Sequence, residues 1–234
     1  MTNVMSDPLI LALPSKGRLK EQCTAAFAAA GFDISTGSKR DYTGRIAGMP
    51  GVEVKFMSSS DIAQFLKTGA IHLGVTGEDL VRETVPDAAA SVRFLKRLGF
   101  GNADVVVAVP DCWIDTASMA ALEQAAVTYH RVHGRRMRVA TKYMNLTRRF
   151  FAERGVTSYR IVESLGATEG APAAGLAELI VDITTTGATL RANALRPLDD
   201  GLILRSEACL VASNSAAWSA EAREAERRIV DRLA

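Results

Sequence analysis

Glu178-Leu179-Ile180-Val181-Asp182-Ile183-Thr184-Thr185-Thr186-Gly187-Ala188-Thr189-Leu190 reads as a buried strand that ends in an acidic residue and turns through a Thr/Gly loop into a helix. The β-branched run Ile180 to Ile183 suits a parallel strand covered on both faces. The loop after it gathers backbone N–H groups at the positive end of the next helix, where an anion is stabilised. Threonine hydroxyls can add hydrogen bonds to phosphate oxygens, Gly187 lets the backbone approach without a Cβ, and Asp182 can accept from ribose hydroxyls. A phosphorylated sugar fits such a loop. The same letters also describe an ordinary strand-turn-helix junction in which Thr186 is an N-cap.

Outward from this stretch the chain repeats strand and helix. Leu9 to Leu13 is an apolar strand stopping at Pro14, and the helix after it carries Leu19, Cys23, Phe27 and Ala30 on one face before Gly31. Val52 to Met57 predicts a strand, Asp61 to Lys67 a helix capped by Ser58 to Ser60, Ile71 to Val75 a strand and Glu78 to Arg82 a helix. Val92 to Leu98 and Ala103 to Val109 flank Gly99-Phe100-Gly101-Asn102, which is either a hairpin or a crossover between domains. Helices are expected near Ser118 to His133 and Tyr143 to Arg154, with strands at Arg138 to Ala140 and Tyr159 to Val162. One further strand is expected around Gly201 to Val211, then a packing helix from Trp218 to Leu233. The β-α alternation predicts an α/β fold with mostly parallel sheets.

Composition narrows the function classes. With 48% hydrophobic residues in 234, the chain can bury a substantial core without staples. Lys plus Arg number 28 against 26 Asp plus Glu, a net charge of +2 that gives no general field for nucleic acid. Cys23, Cys112 and Cys209 are widely separated and lack metal-type spacing, which fits a reducing cytosol. No run approaches the ~18 apolar residues of a membrane span, and no leader pattern opens the chain. The expected setting is cytoplasmic, with neither nucleic acid nor membrane as a partner.

Few motifs carry chemistry. In Leu13-Pro14-Ser15-Lys16-Gly17-Arg18-Leu19, Lys16 and Arg18 sit at a helix N-terminus, where two cations are unfavourable by about 0.3–1 kcal/mol each unless an anion lies between them. Glu163-Ser164-Leu165-Gly166-Ala167-Thr168-Glu169-Gly170-Ala171-Pro172 puts two carboxylates in a turn expected beside the loop after Asp182. Either Glu163 or Glu169 could assist Mg²⁺ or contact a ribose, or Glu169 could be a first-turn helix acid. A Walker-type P-loop is absent, and Gly99-x-Gly101 precedes a strand, the wrong context for a dinucleotide fingerprint. His130 and His133 lack a third ligand. The basic run Arg131 to Arg138 reads as surface or interface.

Pro14-Ser15-Lys16-Gly17-Arg18-Leu19, His72-Leu73-Gly74-Val75-Thr76-Gly77-Glu78-Asp79-Leu80, Glu163 to Glu169 and Asp182 to Leu190 together closely resemble the catalytic subunit of the ATP phosphoribosyltransferase family, in order and over nearly the whole chain. The resemblance implies transfer of the 5-phosphoribosyl group of 5-phosphoribosyl-1-pyrophosphate (PRPP) to N1 of ATP with release of pyrophosphate, the first step of histidine biosynthesis. It implies a two-domain fold like the type II periplasmic binding proteins, with an active-site cleft. The domains expected are residues 1–103 plus 192–206, and 104–191 plus 207–234 carrying the phosphoribosyl loop. The length resembles the short form, which has no C-terminal regulatory domain and works with a histidyl-tRNA synthetase-like regulatory subunit, the catalytic chain alone being a homodimer. The alternative is a solute-binding or non-catalytic regulatory protein of the same fold.

The resemblance also implies site roles. Lys16, Arg18 and Asp182 are the catalytic candidates. Thr184, Thr185, Thr186, Gly187, Ala188 and Thr189 are assigned to ribose and 5-phosphate, Glu163 and Glu169 to supporting contacts, and Arg40 to the substrates by its spacing from Arg18. Mg²⁺ is expected, held mainly through substrate phosphates. Purine-salvage phosphoribosyltransferases place two adjacent acids before a similar loop, whereas Val181 precedes Asp182 here. Adenine N1 already offers a lone pair, so the hard task is stabilising ribosyl cation character and the departing pyrophosphate, by positioning and electrostatics.

Overall fold

The computed structural model describes residues 7–36, 42–85 and 87–233. The first part of the chain forms β1 (Leu9–Pro14), α1 (Gly17–Ala29), β2 (Ile34–Thr36), β3 (Thr43–Ile46) and β4 (Val52–Met57), then α2 (Ser59–Thr68), β5 (Leu73–Gly77), α3 (Glu78–Thr84), α4 (Ala88–Ser91) and β6 (Val92–Arg97). Next come β7 (Ala103–Pro110), α5 (Met119–His133), β8 (Met137–Thr141), α6 (Met144–Glu153) and β9 (Tyr159–Glu163). A 3-10 turn at Thr168–Gly170, β10 (Leu179–Thr184), α7 (Ala188–Ala192) and β11 (Leu195–Ser206) follow, and β12 (Ala208–Ser213) and α8 (Ala220–Arg232) complete the order.

The strands make two sheets, ordered β2-β3-β4-β1-β5-β12-β6 and β11-β7-β10-β8-β9. These belong to two compact units: residues up to Gly101 with those from Glu207 onward, and Asn102–Ser206. The α/β expectation holds, but the sheets are mixed. Strands joined through helices run parallel, as in β4-β1-β5 and β10-β8-β9. The pairs β12-β5, β12-β6, β7-β10 and β7-β11 are antiparallel.

Sheet membership also corrects the expected domain edges. The 192–206 segment was assigned to the first domain, yet β11 pairs with β7 in the five-stranded sheet. The 207–234 segment was assigned to the second, yet β12 is inserted between β5 and β6. The single strand expected around Gly201 to Val211 is two strands in different sheets, separated at Glu207. Gly99 to Asn102 is accordingly a crossover, not a hairpin. At the return, Glu207 accepts from Gly99 N at 2.9 Å and pairs with Arg97 at 3.1 Å. Arg97 Nη2 also lies 2.6 Å from the buried Glu78 carboxylate, a charge contact without full hydrogen-bond alignment, while Arg82 pairs with the other Glu78 oxygen at 2.7 Å.

The first unit shows why its strands read as apolar runs. Leu9, Leu11, Leu13, Leu210 and Ala212 pack with Cys23 and Phe27 of α1 and Ile229 of α8 on one face. The alternate residues Ala12, Cys209 and Val211 pack with Ile62, Ala63 and Leu66 of α2 and Val81 of α3 on the other. Both faces are covered, so the period-two polar signal disappears. Helix ends follow local chemistry. Ser58 accepts from Asp61 N at 3.1 Å to start α2, and Gly69, left-handed at φ 78°, stops it. Ser118 and Ser219 cap α5 and α8 in the same way. His72, inside the second quoted motif, is structural: Nδ1 accepts from Ile10 N and Nε2 donates to Ala217 O, both at 3.1 Å.

Candidate functional site

The stretch that opened the sequence reading forms the strand, loop and helix it predicts. Ile180 packs with Val106, Ala108, Leu190 and Leu195, fixing β10 and the first turn of α7 together. The loop is braced from within. Thr184 Oγ1 accepts from Gly187 N at 2.9 Å, whereas Thr186 Oγ1 reaches Ala188 N at 3.4 Å. Thr184 is thus a turn brace, Thr186 is not the N-cap, and α7 starts from Gly187 as its N-cap with no side-chain cap. Gly187 has φ 71°, a left-handed backbone that a side chain would strain. Arg191 donates to Thr186 O at 3.1 Å, and Thr185 Oγ1 donates to Asn102 O at 3.2 Å. Thr189 and Ala188 begin the helix and are exposed. A cavity of about 610 Å³ opens beside this loop, lined among others by Asp104, Thr184, Thr186, Gly187, Arg191 and Arg196.

Asp182 is half-buried and faces the same side of the sheet as Thr184 and Asp104, because Asp182 pairs with Val106 and Thr184 with Asp104 across β7. Its side chain accepts from Ile183 N at 2.8 Å. Burial lifts the carboxyl above its ordinary value of 3.8. The Ile183 N–H and the Lys142 charge oppose the rise, and the Glu169 charge adds to it. Asp182, Lys142 and Glu169 thus form one electrostatic group.

Glu163 stands apart from that group. The turn holding Glu163 and Glu169 was expected beside the Asp182 loop; its 3-10 part packs against β10, whereas β8 separates β10 from β9 and so from Glu163 at its end. Glu163 ends β9 opposite Thr141, exposed. Glu169, in the 3-10 turn, is the carboxylate that reaches Asp182 electrostatically. Lys142 and Asp104 escaped the sequence reading. Only the strand order brings them to Asp182, and no periodicity marks either.

In the first unit, Lys16 and Arg18 flank the start of α1. Lys16 is the extended N-cap residue, no side chain caps the helix, and its first turn holds no acid. Both cations are exposed, and Ser15 N is anchored to Met57 O at 2.9 Å. Exposed helix N–H groups beside two cations make an anion-attracting end. Arg40 lies outside the described residues. Among the described residues no group of three or more His, Cys, Asp or Glu could hold a metal ion.

The family model described as HisG, ATP phosphoribosyltransferase, matches residues 58–234. The chain belongs to the ATP phosphoribosyltransferase family. Its members transfer the phosphoribosyl group of PRPP to ATP, the first step of histidine biosynthesis. The chain is 61% identical over 231 residues to the family member of Bradyrhizobium diazoefficiens, matching 98% of this chain and 71% of that one. A Rhodopseudomonas palustris member is 59% identical over 231 residues with the same coverage. Among solved structures, the ATP phosphoribosyl transferase (HisG:HisZ) complex from Thermotoga maritima matches with TM-score 0.72, 26% identity and 96% of each chain. The alkanesulfonate-binding protein of Xanthomonas axonopodis pv. citri shares the fold alone, with TM-score 0.53, 15% identity, and 97% of this chain against 73% of that one. The periplasmic-binding-protein-like expectation is met.

Proposed function

We propose that this enzyme binds its phosphoribosyl donor on the loop between β10 and α7, with Thr184 to Thr189 on the 5-phosphate and Asp182 on the ribose hydroxyls. The observation that carries the reading is the loop's construction: Thr184 holds Gly187 N at 2.9 Å, and Gly187 takes a left-handed turn beside an open cavity of about 610 Å³. Lys16 and Arg18 take polyphosphate oxygens of the substrates. Arg40 is assigned to the substrates by sequence alone. Glu169 is assigned a supporting contact because its charge is felt at Asp182, while Glu163 has a weaker case because β8 separates its strand from β10.

The chemistry follows from these placements. Adenine N1 attacks the anomeric carbon as pyrophosphate leaves from the opposite face, and no strong base is required. The chain contributes orientation and a field. The ionised Asp182 favours positive charge developing on the ribose, while Lys16 and Arg18 offset the negative charge collecting on the leaving group. Mg²⁺ is the expected cofactor. Asp182 and Glu169, whose charges influence one another, are the carboxylates that would assist an ion carried mainly by substrate phosphates. When bound it would neutralise phosphate charge.

Histidine control is assigned to a separate subunit of the histidyl-tRNA synthetase-like kind. The Thermotoga maritima complex of HisG with HisZ supports that arrangement. A homodimer of the catalytic chain and a cytoplasmic setting complete the proposal. Among the described residues no helix is long and apolar enough to cross a membrane.

The deciding experiment is pyrophosphate release from ATP and PRPP, with and without a regulatory subunit, for wild type and Arg18→Ala. We expect Arg18→Ala to cut kcat/KM by roughly 10²-fold without lowering Tm, since Arg18 is exposed and outside the core. A melting loss that accounts for the lost activity would make Arg18 a structural residue.

A further inference from the structure

The phosphate loop has an electrostatic gap. Its braces are hydroxyls and backbone groups, and the cations lining its cavity are committed to carbonyls: Arg191 donates to Thr186 O, and Arg196 to Trp113 O and Thr116 O. A donor carrying several negative charges needs a positive group nearby that is not already committed. Strand order supplies one. β8 is the parallel neighbour of β10, with Thr141 opposite Val181, so Lys142 leaves the C-terminal end of β8 at the level of Asp182. Ligands in α/β folds gather at the C-terminal ends of parallel strands.

Lys142 is also held in place. Thr141 and Tyr143 on either side are buried, and Thr141 Oγ1 accepts from Tyr143 N at 2.8 Å. Tyr143 O accepts from Thr147 Oγ1 at 2.6 Å, and Thr141 O accepts from Ser164 N at 3.0 Å. The backbone of an exposed lysine is thereby pinned between two core residues. Its Nζ lies 5.1 Å from the centre of the Tyr143 ring, and no ion pair involves it among the described residues. Its charge is nevertheless felt at Asp182. A solvated surface lysine would require neither this rigid mounting nor a place beside the acid of the phosphate loop.

We propose that Lys142 is a donor-binding residue, its ammonium group contacting a phosphoryl oxygen of the phosphoribosyl donor. This rests on the reading of β10 and its loop as the donor site. It adds a cation to that site from a strand the loop itself does not contain.

The test compares wild type with Lys142→Ala and Lys142→Arg, in the full chain with its regulatory subunit, by kinetics with each substrate varied and by Tm. Calorimetry with ribose 5-phosphate and with inorganic pyrophosphate identifies which phosphoryl group is held. We expect Lys142→Ala to lower kcat/KM for PRPP at least about tenfold while KM for ATP stays within about twofold, with Tm unchanged and Lys142→Arg recovering most of the loss. Affinity for one of the two probes should fall in parallel. Donor kinetics of Lys142→Ala within about twofold of wild type, equal losses for both substrates, or unchanged affinity for both probes would overturn the inference while leaving an active enzyme. Wild type that forms no product would overturn the functional reading, and this inference with it.

Discussion

Two carboxylates mark the two ends of β10, and their surroundings are opposite. Glu178, just before the strand, accepts from Arg138 N at 2.6 Å, from the Arg138 side chain at 2.8 Å, from Tyr129 OH at 2.9 Å and from Arg135 at 3.3 Å. Burial would push its carboxyl up. The Arg138 side chain and backbone, then Tyr129 and Arg135, outweigh burial and hold it at about 2. Asp182, at the far end, is lifted by burial and has one backbone N–H at 2.8 Å to offset it. The first acid is satisfied by the fold. The second is less fully compensated by the fold, which suits a group that meets a ligand.

The strongest way to break that contrast is Asp182→Asn. Activity should fall by roughly 10²-fold or more while the fold does not suffer. The sign follows from the raised value. A carboxyl bound to its proton more tightly in the folded state supports stability below pH 3.8, and that support is lost as pH rises through the folded value. At neutral pH the ionised group is therefore a cost, and Asn should leave Tm equal or higher. A clear loss of Tm in Asp182→Asn would place Asp182 with Glu178 as a structural acid.

Glu178→Gln tests the other end. Its lowered value means stability fully present above pH 4.5 and lost as pH falls toward about 2. The variant should lose on the order of 3 kcal/mol at neutral pH, with KM for both substrates unchanged, and the gap from wild type should close between pH 4.5 and 2. Denaturant unfolding across that range measures it, and a gap independent of pH would contradict the assignment.

A finer test concerns the loop beyond Asp182. Thr184→Val removes the brace on Gly187 N at 2.9 Å, and Thr186→Val removes a looser contact at 3.4 Å. KM for PRPP should rise about tenfold in the first and less in the second, with ATP little affected. Equal effects would mean that both hydroxyls act directly on phosphate. The smallest effect expected is chemical. Burial pushes the Cys23 and Cys209 thiols up to about 12, so thiol reagents under native conditions should label exposed Cys112 first. Prompt labelling of all three would contradict the packing described.

Much of this was legible in the residues. The β-branched run before Asp182 predicted β10, and Gly187 predicted a turn. Cys23 and Phe27 predicted the buried face of α1, as Ile229 did for α8. What escaped depends on long-range pairing. β2 and β3 are only three and four residues long, too short to show a period. Gly201 to Val211 was expected as one strand, and the polar Arg205-Ser206-Glu207 in its middle is where the chain changes sheet. Lys142 carries no pattern of its own. Its place beside Asp182 follows from β8 lying between β10 and β9, the same order that separates Glu163 from the loop.

The insertion of β12 sets an order of events during synthesis. Among the described residues β6 pairs in its sheet with β12 alone, and β5 meets β12 on one side. Until the ribosome has made Ala208–Ser213, β6 has no partner and β5 has an open edge, throughout the synthesis of Asn102–Ser206. The unit encoded in the middle can close before the one begun first. A nascent chain therefore carries an unfinished apolar sheet for nearly half its translation, the interval in which its open strand edge is most exposed to wrong pairing.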